Sequence, residues 1–243
     1  MLKKILKVVK YLFLFLVVSI IIFSFVFKEE IGTMYYMTNG KLAITTMSNG
    51  DKEIYFYEMA HSGRIEFYEK VRANIKKNKA DSAILFYEVM KGTSLLSLTD
   101  SLKLIKIDGG LGTAESYTQI FREELGLDLI GQDNNSFLNI INSKDTNVDI
   151  SAKNFVDIYE QKFGTIKLSE LELKNKKIDT SLVNDKNINE IIMDYRTDYL
   201  AKAITAAKDK KIIVLYGAAH KDLLLEDLKK SDKNWKIIST EKN

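Results

Sequence analysis

Two short strings, Tyr57-Glu58-Met59-Ala60-His61 and Tyr216-Gly217-Ala218-Ala219-His220, align without a gap, and each closes an apolar run. The runs, EIYFY at 53–57 and IIVLY at 212–216, are rich in β-branched and aromatic residues and read as strands. Behind each string comes a helical periodicity and then another apolar strand. Ile65, Tyr68, Val71 and Ile75 lead into SAILFYEV at 82–89, and a helix at 221–230 leads into WKIIS at 235–239. Strand, loop, short helix and strand form the unit of a parallel sheet. Two such units predict an α/β fold, with α+β as the alternative. A mainly parallel central sheet is flanked by helices and built from two strand–loop–helix–strand halves, which read as an internal duplication. Such sheets bind ligands beyond the carboxyl ends of their strands, so the arrangement brings both strand-end histidines to one edge.

The rest of the chain fills in around these units. Residues 29–50 read as a lead-in with one or two short strands, punctuated by Asn39-Gly40 and Asn49-Gly50. The glycine-rich DGGLG at 108–112 precedes a helix near 115–125, and the polar 130–150 reads as loop. A helix near 152–162 follows, and 174–187 reads as an exposed linker or insertion. A long amphipathic helix is expected over 188–208, with Ile188, Ile191, Ile192, Tyr195, Leu200, Ala203, Ile204 and Ala207 on its apolar face.

The amino terminus is of another kind. Residues 11–27 carry no charge and follow a lysine-rich start. At 1.5 Å per residue the run spans about 25 Å, short of a hydrocarbon core of about 30 Å unless Val8 and Val9 extend it while Lys10 snorkels to the headgroups. This predicts a single transmembrane helix through residues 8–27, with 1–28 as a membrane anchor and 29–243 as one extracytoplasmic domain. The lysines place the amino terminus in the cytoplasm. The alternative is a cleaved signal peptide and secretion, although the run ends in SFVFKEE, with no A-x-A-like site.

Charge follows the same division. The net charge of +3 includes five lysines in 1–28, where there is no acid; without them 31 basic and 33 acidic residues remain, a net −2. No basic patch argues for nucleic acid. The absence of cysteine excludes disulfides, zinc ribbons, iron–sulfur clusters and thiol nucleophiles. G-x-S-x-G and H-E-x-x-H are absent too, which removes the nucleophile-elbow hydrolases and the zincins. Gly109, Gly110 and Gly112 lack a following G-K-[ST], so a turn is the better reading than a phosphate loop.

What remains for chemistry is small. His61 and His220 are the only histidines, and two imidazoles converging on one sheet edge suit a divalent metal completed by carboxylates. Glu88 ends the apolar strand at 82–89, where an acid is costly unless paired or coordinating; Glu58 lies in the first histidine turn. The plainer alternative makes both histidines ordinary surface or core residues.

On these residues the chain resembles the TraB/Tiki family, which includes GumN-like bacterial proteins and enterococcal pheromone-shutdown proteins. The family pattern is a pair of distant G-x-x-H motifs, a Glu after the first and an Arg before the second. Gly217-Ala218-Ala219-His220 matches the second motif, and His61 with Glu66-Phe67-Tyr68 resembles the first. Glu88 in LFYEVMKG matches the strand-end Glu, and Arg196 in MDYRTDYLAKAI matches the Arg-bearing helix. Residues 117–131 and 147–151 resemble the middle region, so the likeness covers roughly 40–239. Glu58 stands where the family has Gly, making the first motif E-x-x-H: an added ligand or a degenerated site.

The resemblance implies a membrane-anchored metal-dependent hydrolase acting on small peptides, with manganese or cobalt as the divalent ion. It implies His61, His220 and Glu88 as metal ligands, to which Glu58 would be an added one, and Glu88 and Arg196 as catalytic residues. Glu88 would coordinate or activate water, and Arg196 would stabilise an oxyanion or hold a substrate carboxylate, unless it forms an ordinary salt bridge. Asp149 is a weaker supporting candidate, with a loop cap as its alternative. The competing readings are a protein that binds and sequesters peptides without cleaving them, and a membrane-tethered structural domain. The sequence leaves substrate, metal and oligomeric state open.

Overall fold

The computed structural model describes residues 39–108, 118–119, 122–123, 126–132, 139–176, 178 and 185–242. The anchor expected at 1–28, the turn at Gly109–Gly112 and most of the helix expected at 115–125 lie outside the described residues. Among the described residues no helix is long and apolar enough to cross a membrane.

The chain is a mixed α/β structure with a mostly parallel central sheet flanked by helices. Strands β1 (Ala43–Ser48) and β2 (Glu53–Met59) form a hairpin. Its turn needs Gly50, which sits at φ +93°, where a side chain would be strained. Asn49 Oδ1 accepts from the amides of Asp51 (3.1 Å) and Lys52 (2.8 Å), the local bonding that makes Asn a turn residue. After β2 come the short β3 (Ser62–Gly63), helix α1 (Ile65–Ala80) and β4 (Ile84–Tyr87). Next are α2 (Leu98–Asp108), β5 (Ile130–Gly131), β6 (Thr146–Asn147), α3 (Ala152–Phe163), α4 (Glu170–Asn175) and α5 (Asp185–Asn189). A π-helical stretch, Glu190–Tyr195, runs into α6 (Arg196–Ala206), followed by β7 (Lys211–Gly217), α7 (Lys221–Ser231) and β8 (Lys236–Lys242).

The sheet order is β6-β4-β7-β2-β1-β8. β6, β4, β7 and β2 run parallel, and β1 is antiparallel to both its neighbours. From β2 the chain crosses by α1 to β4; from β7 it crosses the other way by α7 to β8. Parallel crossovers share one hand, so opposite directions place the two helices on opposite faces. The cores agree. Phe67, Tyr68, Val71 and Ile75 of α1 pack with Tyr57, Leu85 and Leu215, whereas Leu224 and Leu228 of α7, with Leu200 and Ile204 of α6, pack on Phe56, Phe86 and Val214. Ile65 is 54% exposed and Phe67 takes its place, because at 100° per residue Ile65 lies about a quarter turn off the line of Tyr68, Val71 and Ile75.

The aligned histidine strings are not aligned in space. Glu58 pairs with Tyr216 and Tyr57 with Leu215, so the sheet register is one residue off the sequence match. Side chains alternate along a strand, and Tyr57 and Tyr216 therefore face opposite layers.

The segment expected to be a linker, 174–187, begins in the last turn of α4 and ends in α5, and its residues 177 and 179–184 lie outside the described residues. Ser169 caps α4 through a reciprocal box with Glu172, and Lys106 of α2 pairs with Glu172 at 2.7 Å. One tie crosses from the β1–β2 turn to the end of α6: Lys52 Nζ donates to the carbonyls of Ile204 (2.9 Å), Thr205 (2.9 Å) and Ala207 (2.5 Å). A cation on the open carbonyls of a helix end is favourable. Lys52→Met is expected to lower stability by about 1 kcal/mol, a Tm decrease of about 2–4 °C by thermal melting. An unchanged Tm would show that water caps this end equally well.

Candidate active site

Beyond the carboxyl ends of β2, β4 and β6 lies a cleft of about 210 Å³ lined by His61, Glu88, Val89, Met90, Gln132, Asp149 and Arg196. Glu88 follows the last residue of β4, and its amide donates to Leu215 O of β7 at 3.2 Å, carrying the sheet pairing to the strand end. Its two carboxylate oxygens have different partners. Oε1 accepts from Arg196 Nη2, and Oε2 accepts from the Gly217 amide at 2.9 Å.

Arg196 opens α6 and is almost fully buried. Its Nε donates to Asp149 Oδ1 at 2.8 Å and its Nη2 to Asp149 Oδ2 at 2.9 Å, a bidentate pair. The guanidinium carbon also lies 5.7 Å from the centre of the Tyr216 ring. Asp149, with a side chain 0% exposed, accepts further from the Ile150 amide at 2.8 Å, so it is both a loop cap and the main partner of Arg196. Burial pushes the Asp149 carboxyl up from its ordinary value, against the pull of Arg196. Burial also opposes the charge on Arg196, but Glu88 and Asp149 more than offset it and hold its pKa above the ordinary value.

His220 ends a 3₁₀ turn, Ala218–His220, between β7 and α7, and is 4% exposed. Its ring stands perpendicular to Tyr216 at 4.7 Å, and Nδ1 is 2.7 Å from Thr197 Oγ1. Burial pushes its pKa down to about 4, with smaller influences from Glu88, Arg196 and His61, so the imidazole is neutral at pH 7. Gly217 leaves a gap beside it. A Cβ there would stand 3.7 Å from Glu88 Oε2 and 3.9 Å from His220 Nε2, so a methyl group would fill the space those two atoms share.

His61 is exposed at the mouth of the cleft, its carbonyl fixed by the Gln132 amide at 2.7 Å. Glu58 is the candidate that the structure does not bring to the cleft. Three residues before His61 it is still inside β2, and strand alternation turns it to the α7 layer. There its Oε1 accepts from Thr45 Oγ1 at 2.9 Å and lies 3.4 Å from Lys221 Nζ. Thr197, Tyr216 and Gln132 belong to the site without having been singled out by sequence. Only Tyr216 carried a signal, as the aromatic that opens the repeated string.

The donor types suit a divalent cation. His220 is neutral, as a ligand must be, and Glu88 Oε2 borders the same gap over Gly217. Among the described residues no three His, Asp or Glu side chains are grouped so as to hold a metal ion; His61 stands exposed at the cleft mouth while Glu88 and His220 border the gap over Gly217.

Comparison with known proteins gives no match to a family model, to a curated protein or to a solved structure.

Proposed function

We propose that the chain is a TraB/Tiki-like metal-dependent hydrolase of small peptides. In this reading residues 8–27 tether it to the membrane, 29–243 form its extracytoplasmic domain, and its two halves descend from one strand–loop–helix–strand unit. The observation that carries the proposal is the neutral, buried His220 sharing the gap over Gly217 with Glu88, with His61 lining the adjoining cleft. His220 and His61 would supply imidazole donors, and Glu88 Oε2 a carboxylate. A divalent ion held there supplies Lewis acidity and a more acidic bound water. Arg196 holds Glu88 by Oε1 while Oε2, accepting from the Gly217 amide, faces the gap, where the carboxylate would either bind the ion or take a proton from attacking water. Arg196, which lines the cleft, would stabilise a developing oxyanion or hold a substrate carboxylate. Asp149 keeps the guanidinium in place.

The test is titration of the full-length protein in detergent with Mn²⁺ and Co²⁺, alongside cleavage of a mixed peptide library. The wild type is expected to bind one equivalent, and His61→Ala and His220→Ala are expected to lose it. Glu88→Gln should lower cleavage by about 10²-fold or more. No divalent binding by the wild type would sink the hydrolase reading. The tie of both Glu88 oxygens to Arg196 and Gly217 favours the second reading, a peptide-sequestering protein. That reading expects peptide affinity indifferent to chelators, and no cleavage.

A further inference from the structure

We propose that Thr197 is a positioning residue that fixes the tautomer of His220, so that Nε2 presents a bare lone pair to the gap over Gly217. The Thr197 hydroxyl has one proton and two polar neighbours, Met193 O and His220 Nδ1. A carbonyl can only accept, so the hydroxyl proton goes to Met193. The hydroxyl oxygen then accepts, and Nδ1 at 2.7 Å must be the nitrogen that carries the ring proton. Nε2 is left unprotonated at the gap it shares with Glu88 Oε2 above Gly217. In water a histidine ring prefers the opposite tautomer, with the proton on Nε2, so this arrangement requires a partner such as Thr197. Thr197 is itself wholly buried.

The π-helical stretch brings Thr197 to this place. Continued at 3.6 residues per turn from Ile188 and Ile191, the inward line would run through Tyr195 to Asp198 and Tyr199. A π turn inserts a residue, and the buried positions become Arg196, Thr197, Leu200, Ala201 and Ile204, while Tyr199 is 44% exposed. One irregularity therefore turns two successive side chains inward, Arg196 to Glu88 and Thr197 to His220.

The use made of Nε2 rests on the hydrolase reading; the tautomer does not. The experiment is ¹⁵N NMR of full-length protein labelled at histidine. The chain has only two histidines, so His61→Gln isolates the His220 signals. Wild type and Thr197→Ser are expected to show protonated Nδ1 and bare Nε2. Thr197→Val, nearly the same shape without the hydroxyl, is expected to exchange the two ring-nitrogen shifts. Thr197→Ala serves if the Val protein does not fold. A wild-type spectrum with the proton on Nε2, or an unchanged spectrum in the folded hydroxyl-free variant, overturns the proposal. Zn²⁺ added to the wild type is expected to move Nε2 and leave Nδ1 protonated. If it moves neither while the tautomer is as expected, the role of Thr197 stands and the metal reading falls.

Discussion

Arg196→Met is expected to destabilise the protein by about 3–5 kcal/mol, the usual consequence of removing one partner from a buried ion pair. The loss is large because two acids depend on that side chain. Asp149 is fully buried and bound by both Nε and Nη2, and Glu88 is held by the same Nη2. Without the guanidinium, Asp149 keeps only the Ile150 amide, and an uncompensated carboxylate inside a protein takes up a proton or unfolds it. Adding Asp149→Asn to Arg196→Met should therefore recover part of the loss, since it removes the stranded charge. Urea unfolding at pH 7 measures both variants. A single-mutant loss below about 1 kcal/mol, or a double mutant less stable than the single, would show that the pair is not the structural centre of the site.

The second large effect is a pH dependence. The His220 pKa falls from an ordinary 6.5 to about 4 in the folded protein. Between these values the unfolded chain binds a proton at this ring that the folded chain does not, so stability rises with pH across the window. The contribution is complete above pH 6.5 and is lost as pH falls toward about 4; at 1.36 kcal/mol per unit it amounts to about 3 kcal/mol at most. Asp149 works in the opposite sense: its raised pKa favours the folded state at the acid end, and that contribution fades as pH rises through its folded value. The difference between wild type and His220→Gln isolates the histidine. The variant is expected to show a markedly flatter stability profile from pH 6.5 to 4.5; parallel profiles would mean that the ring titrates normally.

The parts of this arrangement that are legible in sequence obey simple periodicities. β2, β4 and β7 are apolar runs flanked by turn signals, and their carboxyl ends bring Glu88 and Gly217 together by sheet geometry alone. Arg196 lies on a helix, as its sequence context predicts, yet the face it occupies is not legible. The 3.6-residue pattern assigns that face to Tyr195 and its successors, and no propensity announces a π turn. Thr197 was invisible for the same reason. Glu58 shows the converse failure: proximity to His61 in sequence suggested a shared site, and the alternation of a strand separates them. Helices α2 and α4 are not legible because each leaves apolar side chains in water, Leu98 and Ile105 in the first and Leu171 and Leu173 in the second, which blurs the amphipathic signal.

The one-residue offset between the histidine strings has a mechanical meaning. The chain leaves β2 for a helix on one face of the sheet and leaves β7 for a helix on the other, so the site is a seam at which the two outer layers meet. Local opening of either layer parts His61 from His220. A ligand that spans both rings would act as a rivet through the sheet edge, and by mass action its binding would slow the opening of α1 and α7 together, although the sheet lies between them.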